Sequence, residues 1–332
     1  MKNPLRGYKV LELSGIGPTP YAGQLLAGLG AEVTRITRPG ALDLPIENRG
    51  KTSLELDLKT KTGRDTVLDM LPDTHIVFEG NRPGVAEKLG LGPKECDAIN
   101  PALIYGRMTG WGQTGPWAQR AGHDINYIGL TGALHALGES DRPPPLPLNF
   151  IGDYGGGSQF LVIGLLAALL QAQKTGKGCV IDAAIVDGTI SMMGIVYSLD
   201  HLGMWSEKRG SNLLDGSRPF YRCYQTRDGG YMAVGCLEPK FFEKMLGILD
   251  LNAQSYGDQN DANLWPKQTR LLTDIFKSKT RAEWEALFEN SDACVTPVLT
   301  YKEAPSHPHN KARATHTERN GFIHPAPAPR FS

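Results

Sequence analysis

Two ionisable residues stand side by side in the segment "AGHDINYIGLTGALHALG", residues 121–138. Histidine side chains ordinarily titrate near neutral pH, so a residue such as His123 can transfer protons, bind a metal or serve as a structural hydrogen-bond partner. Asp124 opens a mildly apolar stretch, a place where a carboxylate also caps a helix. The pair alone leaves catalytic, metal-binding and capping interpretations open.

A third candidate, Asp153, lies in "NFIGDYGGGSQFLVIGLLAALLQAQKTGKG". It precedes a long helical pattern that ends at Lys174, Gly176 and Gly178. An aspartate at a helix N-cap is common, and that explanation needs no function. Three consecutive glycines in a first helical turn cost stability, however, and capping does not account for them. They predict a close approach to free backbone N–H groups at the positive end of the helix, which is an anion or oxyanion site.

The elements that must position these residues begin with alternating strands and helices. Strand patterns cover 8–13, 32–36, 75–80 and 102–110, and helix patterns cover 21–31 and 62–71. This order predicts a parallel sheet with right-handed crossovers. From about 186 to 300 the pattern changes to helices at 238–250 and 280–289 and a strand at 230–236. The second helix opens with a capping box, Thr280 and Glu283.

The turn after the first strand, "GIGPTPYAG", only partly matches a dinucleotide-binding motif. Gly15 and Gly17 are present, but Pro20 takes the place of the third glycine. The acidic residue expected after the second strand is replaced by Arg35 and Arg38. A dinucleotide oxidoreductase is therefore not expected. An arginine at this point suits a phosphate, although two solvated arginines explain the pattern equally well.

Composition excludes several classes of protein. The 332 residues carry 35 Lys+Arg and 35 Asp+Glu, a formal net charge of zero, so neither a nucleic-acid partner nor an anionic membrane surface is expected. The longest apolar run, 160–170, is too short to cross a bilayer. No signal peptide is expected from "MKNPLRGYKVLEL". Five dispersed cysteines without a CxxC pair predict reduced thiols in a cytoplasmic protein.

Four segments in this order resemble CoA-transferase family III, and within it the branch of α-methylacyl-CoA racemases. They are "GHDINYIGLTGAL", "PLNFIGDYGGGS", "TGKGCVIDAAIVDG" and "GCLEPKFF". The resemblance implies an α/β fold: a large Rossmann-like domain (1–190), a smaller inserted α+β domain (191–300) and a C-terminal segment (301–332) that returns to the large domain. It also implies an interlocked homodimer whose active site lies between one large domain and the partner's small domain.

The resemblance assigns chemical roles to the candidates. It implies an isomerase of fatty-acid metabolism that interconverts (R)- and (S)-2-methylacyl-CoA thioesters by proton transfer through an enolate. Inversion of one carbon requires acid/base groups on opposite faces, here His123 and Asp153. Glu238 of "GCLEPKF" would pair with the histidine, although on its own it is an ordinary carboxylate at a helix start.

The resemblance implies a CoA site as well, and no metal or separate cofactor, since CoA is part of the substrate. Lys88 replaces an arginine of the family pattern, so it keeps the charge but loses the planar fork. Gly122–Tyr127 should line the pocket around the thioester. The predicted CoA contacts are Arg38, Leu56, Asp57, Leu58, Lys59, Gly80, Asn81, Arg82, Lys88, Gly122, Asp124, Ile125, Asn126 and Tyr127.

Two other functions are compatible with the same fold. In a family III CoA-transferase, Asp153 would attack the thioester and form an acyl-aspartyl anhydride. A non-catalytic acyl-CoA-binding protein would need the fold without the titratable residues. His123 argues against the first, and the presence of all three residues argues against the second. The "SHPHN" segment has two histidines but no Cys, Asp or Glu cluster to complete a metal site.

Overall fold

The computed structural model describes residues 3–13, 15–319 and 321–331. The described strands are β1 (Lys9–Leu13), β2 (Glu32–Thr37), β3 (Lys51–Glu55), β4 (Ile76–Glu79), β5 (Ile104–Thr109), β6 (Val180–Ala184), β7 (Tyr221–Gln225), β8 (Tyr231–Gly235), β9 (Val295–Val298), β10 (His316–Arg319) and β11 (Phe322–Pro325). The described helices are α1 (Pro18–Gly28), α2 (Lys61–Met70), α3 (Val85–Lys88), α4 (Pro93–Ile99), α5 (Asp124–Leu130), α6 (Phe160–Thr175), α7 (Ile185–Met192), α8 (Gly194–His201), α9 (Pro239–Ile248), α10 (Ala253–Tyr256), α11 (Trp265–Phe276), α12 (Arg281–Phe288) and α13 (Pro308–Ala312). A π-helical segment, Phe150–Gln159, runs directly into α6.

The chain forms two compact units. The first contains 1–134, 146–195 and 318–332, and the second contains 135–145 and 196–317. The second unit therefore interrupts the first twice along the sequence.

A six-stranded parallel sheet forms the centre of the first unit, in the order β3-β2-β1-β4-β5-β6. This is the doubly wound order, in which the direction of winding reverses between β1 and β4. Successive residues of one strand face opposite sides: Val10 packs with Leu26 and Leu165, whereas Leu11 packs in a second cluster with Val67. Helices cover both faces, so the predicted parallel α/β sheet is confirmed.

Charged residues inside the apolar strands are paired. Glu12 in β1 has no exposed surface, and Lys51 of β3 donates to its Oε2 at 2.6 Å and to the carbonyl of Pro20 at 2.8 Å. Burial raises the pKa of Glu12 and lowers that of Lys51, and each charge opposes the shift of the other. Gly23 makes the pair possible, because a Cβ there would lie 1.9 Å from Glu12 Oε2.

The three glycines after Asp153 serve helix packing. Gly155, Gly156 and Gly157 are buried where the π-helical segment crosses α7. A Cβ on Gly156 would lie 2.3 Å from Thr189 Oγ1 and 2.8 Å from the carbonyl oxygen of Ile185. The predicted place of these glycines in a first helical turn is therefore wrong, since the helical segment begins at Phe150, and their close approach is to the backbone of α7.

The helical stretch 150–175 is longer than the apolar run suggested. It has the length and apolarity of a membrane span, but 44% of its most apolar window is buried within the protein. Leu161 and Leu165 pack in the core beneath β5. Gly176, with φ of 70°, ends α6 in the left-handed conformation, as its position predicted.

The second unit has its own core and a three-stranded antiparallel sheet, β7-β8-β9. Phe276, Trp284 and Phe288 belong to that core. The predicted capping box is confirmed: Thr280 Oγ1 accepts from the Glu283 N–H at 3.2 Å, and Glu283 Oε2 accepts from the Thr280 N–H at 2.6 Å.

Candidate active site

A cleft of about 470 Å³ lies at the carboxyl edge of the parallel sheet, where the winding reverses. Segments that follow β1, β4 and β5 form its walls. Ligands of open α/β sheets bind in this position, because the loops on either side of the reversal diverge. The walls include residues 16–19, 80–83, 108–111 and 118–123, together with Tyr127, Asp153 and Ile185.

His123 lies in this cleft as the N-cap residue of α5. Its backbone is fixed: the N–H donates to Asn126 Oδ1 at 3.0 Å, and its carbonyl accepts from the Asn126 N–H at 2.8 Å. The side chain is exposed. The helix start thus fixes the backbone that carries the imidazole at the edge of the cleft.

Tyr127 supports the segment that carries His123. Its hydroxyl donates to the carbonyl of Gly122, and its ring meets Trp111 edge to face at 4.8 Å. Gly110 and Gly122 have no side chain to keep the ring away; a Cβ on Gly110 would lie 2.0 Å from it. The aromatic pair therefore forms a rigid wall of the cleft.

Asp153 also lines the cleft, one turn into the helical stretch and not at its N-cap, which is Asn149. The carboxylate is partly buried beside Gly17, whose φ of 67° turns the loop after β1. Burial raises the pKa of Asp153 to about 6, and the neighbouring Asp124 charge adds to the rise, while His123 opposes it. Asp153 can therefore both take up and release a proton near neutral pH.

Asp124 has a role that the sequence did not predict. Its Oδ1 accepts from the Asp153 N–H at 2.6 Å, and the Gly152 N–H also bonds to this carboxylate. Asp124 therefore ties the start of α5 to the backbone beside Asp153. The Asp153 N–H is already satisfied and cannot serve an oxyanion. Burial raises the pKa of Asp124.

Apart from Asp124, the predicted CoA contacts lie in three places. Gly80, Asn81 and Arg82 follow β4 and line the cleft, as do Gly122 and Tyr127. Ile125 and Asn126 are exposed in the first turn of α5. The others lie outside the cleft lining: Arg38 after β2, Leu56, Asp57, Leu58 and Lys59 after β3, and Lys88 at the end of α3. Those after β2 and β3 share the carboxyl edge of the sheet with the cleft.

Glu238 belongs to the second unit, where it is the exposed N-cap residue of α9 before Pro239. Its pairing with His123 stays a prediction. Across the described ranges 3–13, 15–319 and 321–331, no group of three His, Cys, Asp or Glu side chains is arranged to hold a metal ion.

Three charged residues that sequence reasoning missed lie behind the cleft wall. Arg107 of β5 binds Glu79 at the end of β4 and Glu87 of α3. A signal was present, because Glu79 and Arg107 are charged residues within otherwise apolar strand patterns, and such residues need partners when buried.

A family model, CoA-transferase family III, matches residues 5–330. The chain belongs to CoA-transferase family III. Among its relatives, the α-methylacyl-CoA racemase of Mus musculus is 42% identical over 329 residues, which cover 99% of this chain and 86% of the relative. The racemase of Homo sapiens is also 42% identical, over 98% of this chain and 86% of that protein.

The solved structures agree with this family membership. The crystal structure of a CAIB/BAIF family protein from Brucella suis matches with a TM-score of 0.86 and 29% identity, over 100% of this chain and 93% of that one. The resemblance predicted from four short segments is therefore confirmed for the family as a whole.

Proposed function

We propose that this family III protein is an α-methylacyl-CoA racemase that interconverts (R)- and (S)-2-methylacyl-CoA. The observation that carries the proposal is the placement of His123 and Asp153 in one cleft, with the pKa of Asp153 raised to about 6. A carboxyl group whose pKa is raised to about 6, with an imidazole in the same cleft, is what a reversible proton transfer near neutral pH requires. The 42% identity to two racemases supports the same activity.

In the proposed reaction one of the two groups removes the proton on the carbon next to the thioester carbonyl. The electron pair of the broken C–H bond moves into the carbonyl and gives an enolate. The other group, protonated, returns a proton to the opposite face. Each turnover exchanges the protonation states of His123 and Asp153, so the reverse reaction uses the same pair in exchanged roles.

The CoA part of the substrate should extend along the carboxyl edge of the sheet. Arg82 lies in the cleft wall, and Arg38 is exposed after β2. Both can bind phosphate oxygens through the guanidinium fork. The segment 56–59 after β3 continues the same edge. We propose that the residues predicted from the family resemblance bind CoA there, and that the acyl group lies between His123 and Asp153.

We further propose, from the family resemblance, an interlocked homodimer in which Glu238 of one subunit pairs with His123 of the other. Glu238 belongs to the second unit and is exposed at a helix N-cap, which supports such an assignment. We also propose, from the family resemblance, a role in lipid metabolism, and a cytoplasmic location, which the five free cysteines support.

The second candidate is CoA transfer with Asp153 as nucleophile, and an isotope experiment separates the two. One enantiomer of a 2-methylacyl-CoA is incubated with the protein in deuterated water, without an acyl acceptor. The proposal predicts racemisation with deuterium at the α-carbon, because enolate formation exchanges that proton with solvent.

Transfer would leave the α-carbon protiated. It would require an added carboxylate and would leave an acyl adduct on Asp153 that hydroxylamine traps. A protiated α-carbon together with acyl transfer to the added acid would replace the racemase proposal by the transferase. A protein that binds the thioester but does neither would be a binding protein.

A further inference from the structure

A buried guanidinium joins the two ends of one segment of the cleft wall. Arg107 Nε donates to Glu79 Oε1 at 3.2 Å, and its two terminal nitrogens donate to Glu87 Oε1 at 2.7 Å and Oε2 at 3.2 Å. Glu79 is the last residue of β4, and Glu87 lies in α3. Between these two contacts lies the segment 80–86, which contains Gly80, Asn81 and Arg82.

The cluster formed by Glu79, Arg107 and Glu87 is buried at Glu79 and partly exposed at Glu87. The Glu79 side chain has no exposed surface, and that of Arg107 is 10% exposed, whereas that of Glu87 is 40% exposed. Glu79 and Arg107 are also register partners on adjacent strands. The pairing of β4 with β5 therefore holds Arg107 beside Glu79. The terminal nitrogens of Arg107 then bind Glu87 and connect α3 to the sheet.

The same carboxylate holds the start of the segment directly. Glu79 Oε2 accepts from the Asn81 N–H at 2.6 Å. Gly80 packs so closely on Thr19, in the first turn of α1, that a Cβ would lie 2.4 Å from Thr19 Oγ1. Gln119 Nε2 donates to the carbonyl of Pro83 at 3.0 Å. The segment is thus held at both ends and from the side, while the Arg82 side chain is exposed into the cleft.

We infer that Arg107 is a positioning residue for CoA, which clamps segment 80–86 between Glu79 and Glu87 so that Arg82 and its neighbours meet the CoA moiety. The inference rests on the proposed CoA site. Arg107 itself need not touch the substrate. A planar guanidinium is needed, because its three donors reach two carboxylates at once, which a single ammonium cannot reproduce.

The test measures the affinities of CoA and of pantetheine for the wild-type protein and for Glu87→Gln. Glu87 is the exposed end of the clamp, so its substitution should leave the fold intact. CoA affinity is expected to fall about tenfold, the loss typical of a charge-assisted hydrogen bond. Pantetheine lacks the nucleotide and its phosphates, so its affinity should be unchanged. Glu95→Gln removes the same charge from the neighbouring helix α4 and is the matched control.

Arg107→Lys supplies the second arm, since it keeps the charge and removes the fork. It should weaken CoA binding at least as much as Glu87→Gln, with an unchanged far-ultraviolet circular dichroism spectrum. Wild-type affinity in Arg107→Lys, an equal loss for CoA and pantetheine, or unfolding of Glu87→Gln would overturn the inference. Because affinity is measured, the outcome stands even if the wild-type protein does not racemise its substrate.

Discussion

A hydrogen bond joins the Asp124 carboxylate to the backbone of Asp153, and burial raises the pKa of both carboxyl groups. The bond runs from the Asp153 N–H to Asp124 Oδ1 and is 2.6 Å long. His123 and Asn149 are the other polar residues of the first unit that affect Asp153, and both lower its pKa. Burial and the Asp124 charge outweigh them. The raised pKa is therefore partly a product of residue 124, one position after the histidine.

Replacement of Asp124 by Asn should shift the pH dependence of racemisation. The amide oxygen can still accept from the Asp153 N–H, but the negative charge that raises the pKa of Asp153 is lost. Wild-type kcat/KM should show a limb near pH 6, the approximate pKa of Asp153. In Asp124→Asn that limb should move to lower pH. A pH profile of kcat/KM in both directions measures it.

Asp187→Asn is the matched control, because Asp187 is an exposed carboxylate of α7. Its profile should match the wild type. If the limb of Asp124→Asn stays in place, or if it moves equally in the control, Asp124 does not set the pKa of Asp153.

The residues of the site were predictable to different degrees. The family resemblance of the segments around His123 and Asp153 marks both as candidates, and the structure places both in one cleft. The hydrogen bond from Asp153 to Asp124 was not predictable, because it joins residues 29 positions apart whose approach depends on the sheet. Arg107 and Glu79 carried a signal as charges in apolar strands, but a pattern does not show which partner a buried charge finds.

At the scale of elements, the contact between the π-helical segment and α7 places Asp153. Gly156 and Gly188 remove the side chains that would separate the two backbones; a Cβ on Gly188 would lie 2.0 Å from the Gly156 carbonyl oxygen. Ser158 Oγ donates to the Pro18 carbonyl at 2.6 Å and ties the same stretch to the start of α1. The element that carries Asp153 is thus packed against two neighbours.

Gly156→Ala should therefore both destabilise the first unit and reduce racemisation. The added methyl group must displace Thr189 and the Ile185 backbone, and such overpacking costs about 1–3 kcal/mol. Gly247→Ala in α9 is the control, because nothing lies within 4 Å of its Cβ position. It should stabilise its helix by up to about 1 kcal/mol. Denaturant unfolding and the racemisation rate measure both effects; an unchanged Gly156→Ala would mean that the contact does not position Asp153.

The strands of the parallel sheet that were found by pattern, β1, β2, β4 and β5, are flanked by strands on both sides. β1, β4 and β5 are largely buried, whereas β2 is only half-buried and was recognised from its place after the first helix pattern. β3 was missed because it is an edge strand with the polar sequence "KTSLE". β6 was missed as well, because it lies at the other edge of the sheet and contains the charged Asp182. The π-helical form was not predictable, since three glycines in a row are also typical of a loop.

At the scale of the whole molecule, the proposed dimer makes each active site a product of two chains. His123→Ala and Glu238→Ala chains, coexpressed with different tags, should then form a mixed dimer with one site that lacks both residues and one intact site. The mixed dimer should keep about half of the wild-type activity, since a twofold-symmetric dimer has two sites. Each variant alone should be nearly inactive. Racemisation assays on the doubly purified dimer measure this.

A site completed within one chain gives the opposite result. Each site of the mixed dimer would then lack one residue, and the mixture would be as inactive as the single variants. That outcome would remove Glu238 of the partner from the proposed site and leave His123 and Asp153 to be explained within one subunit.

The central claim is that His123 and Asp153 act on opposite faces of the same carbon. It is tested most directly by α-proton exchange in deuterated water, followed separately for each enantiomer with His123→Ala and Asp153→Asn. Racemisation should fall by on the order of 10²–10⁴-fold in both variants. His123→Ala should still exchange the α-proton of one enantiomer, and Asp153→Asn that of the other. If both variants exchange the same enantiomer, or if either still racemises at the wild-type rate, the two-base account is contradicted.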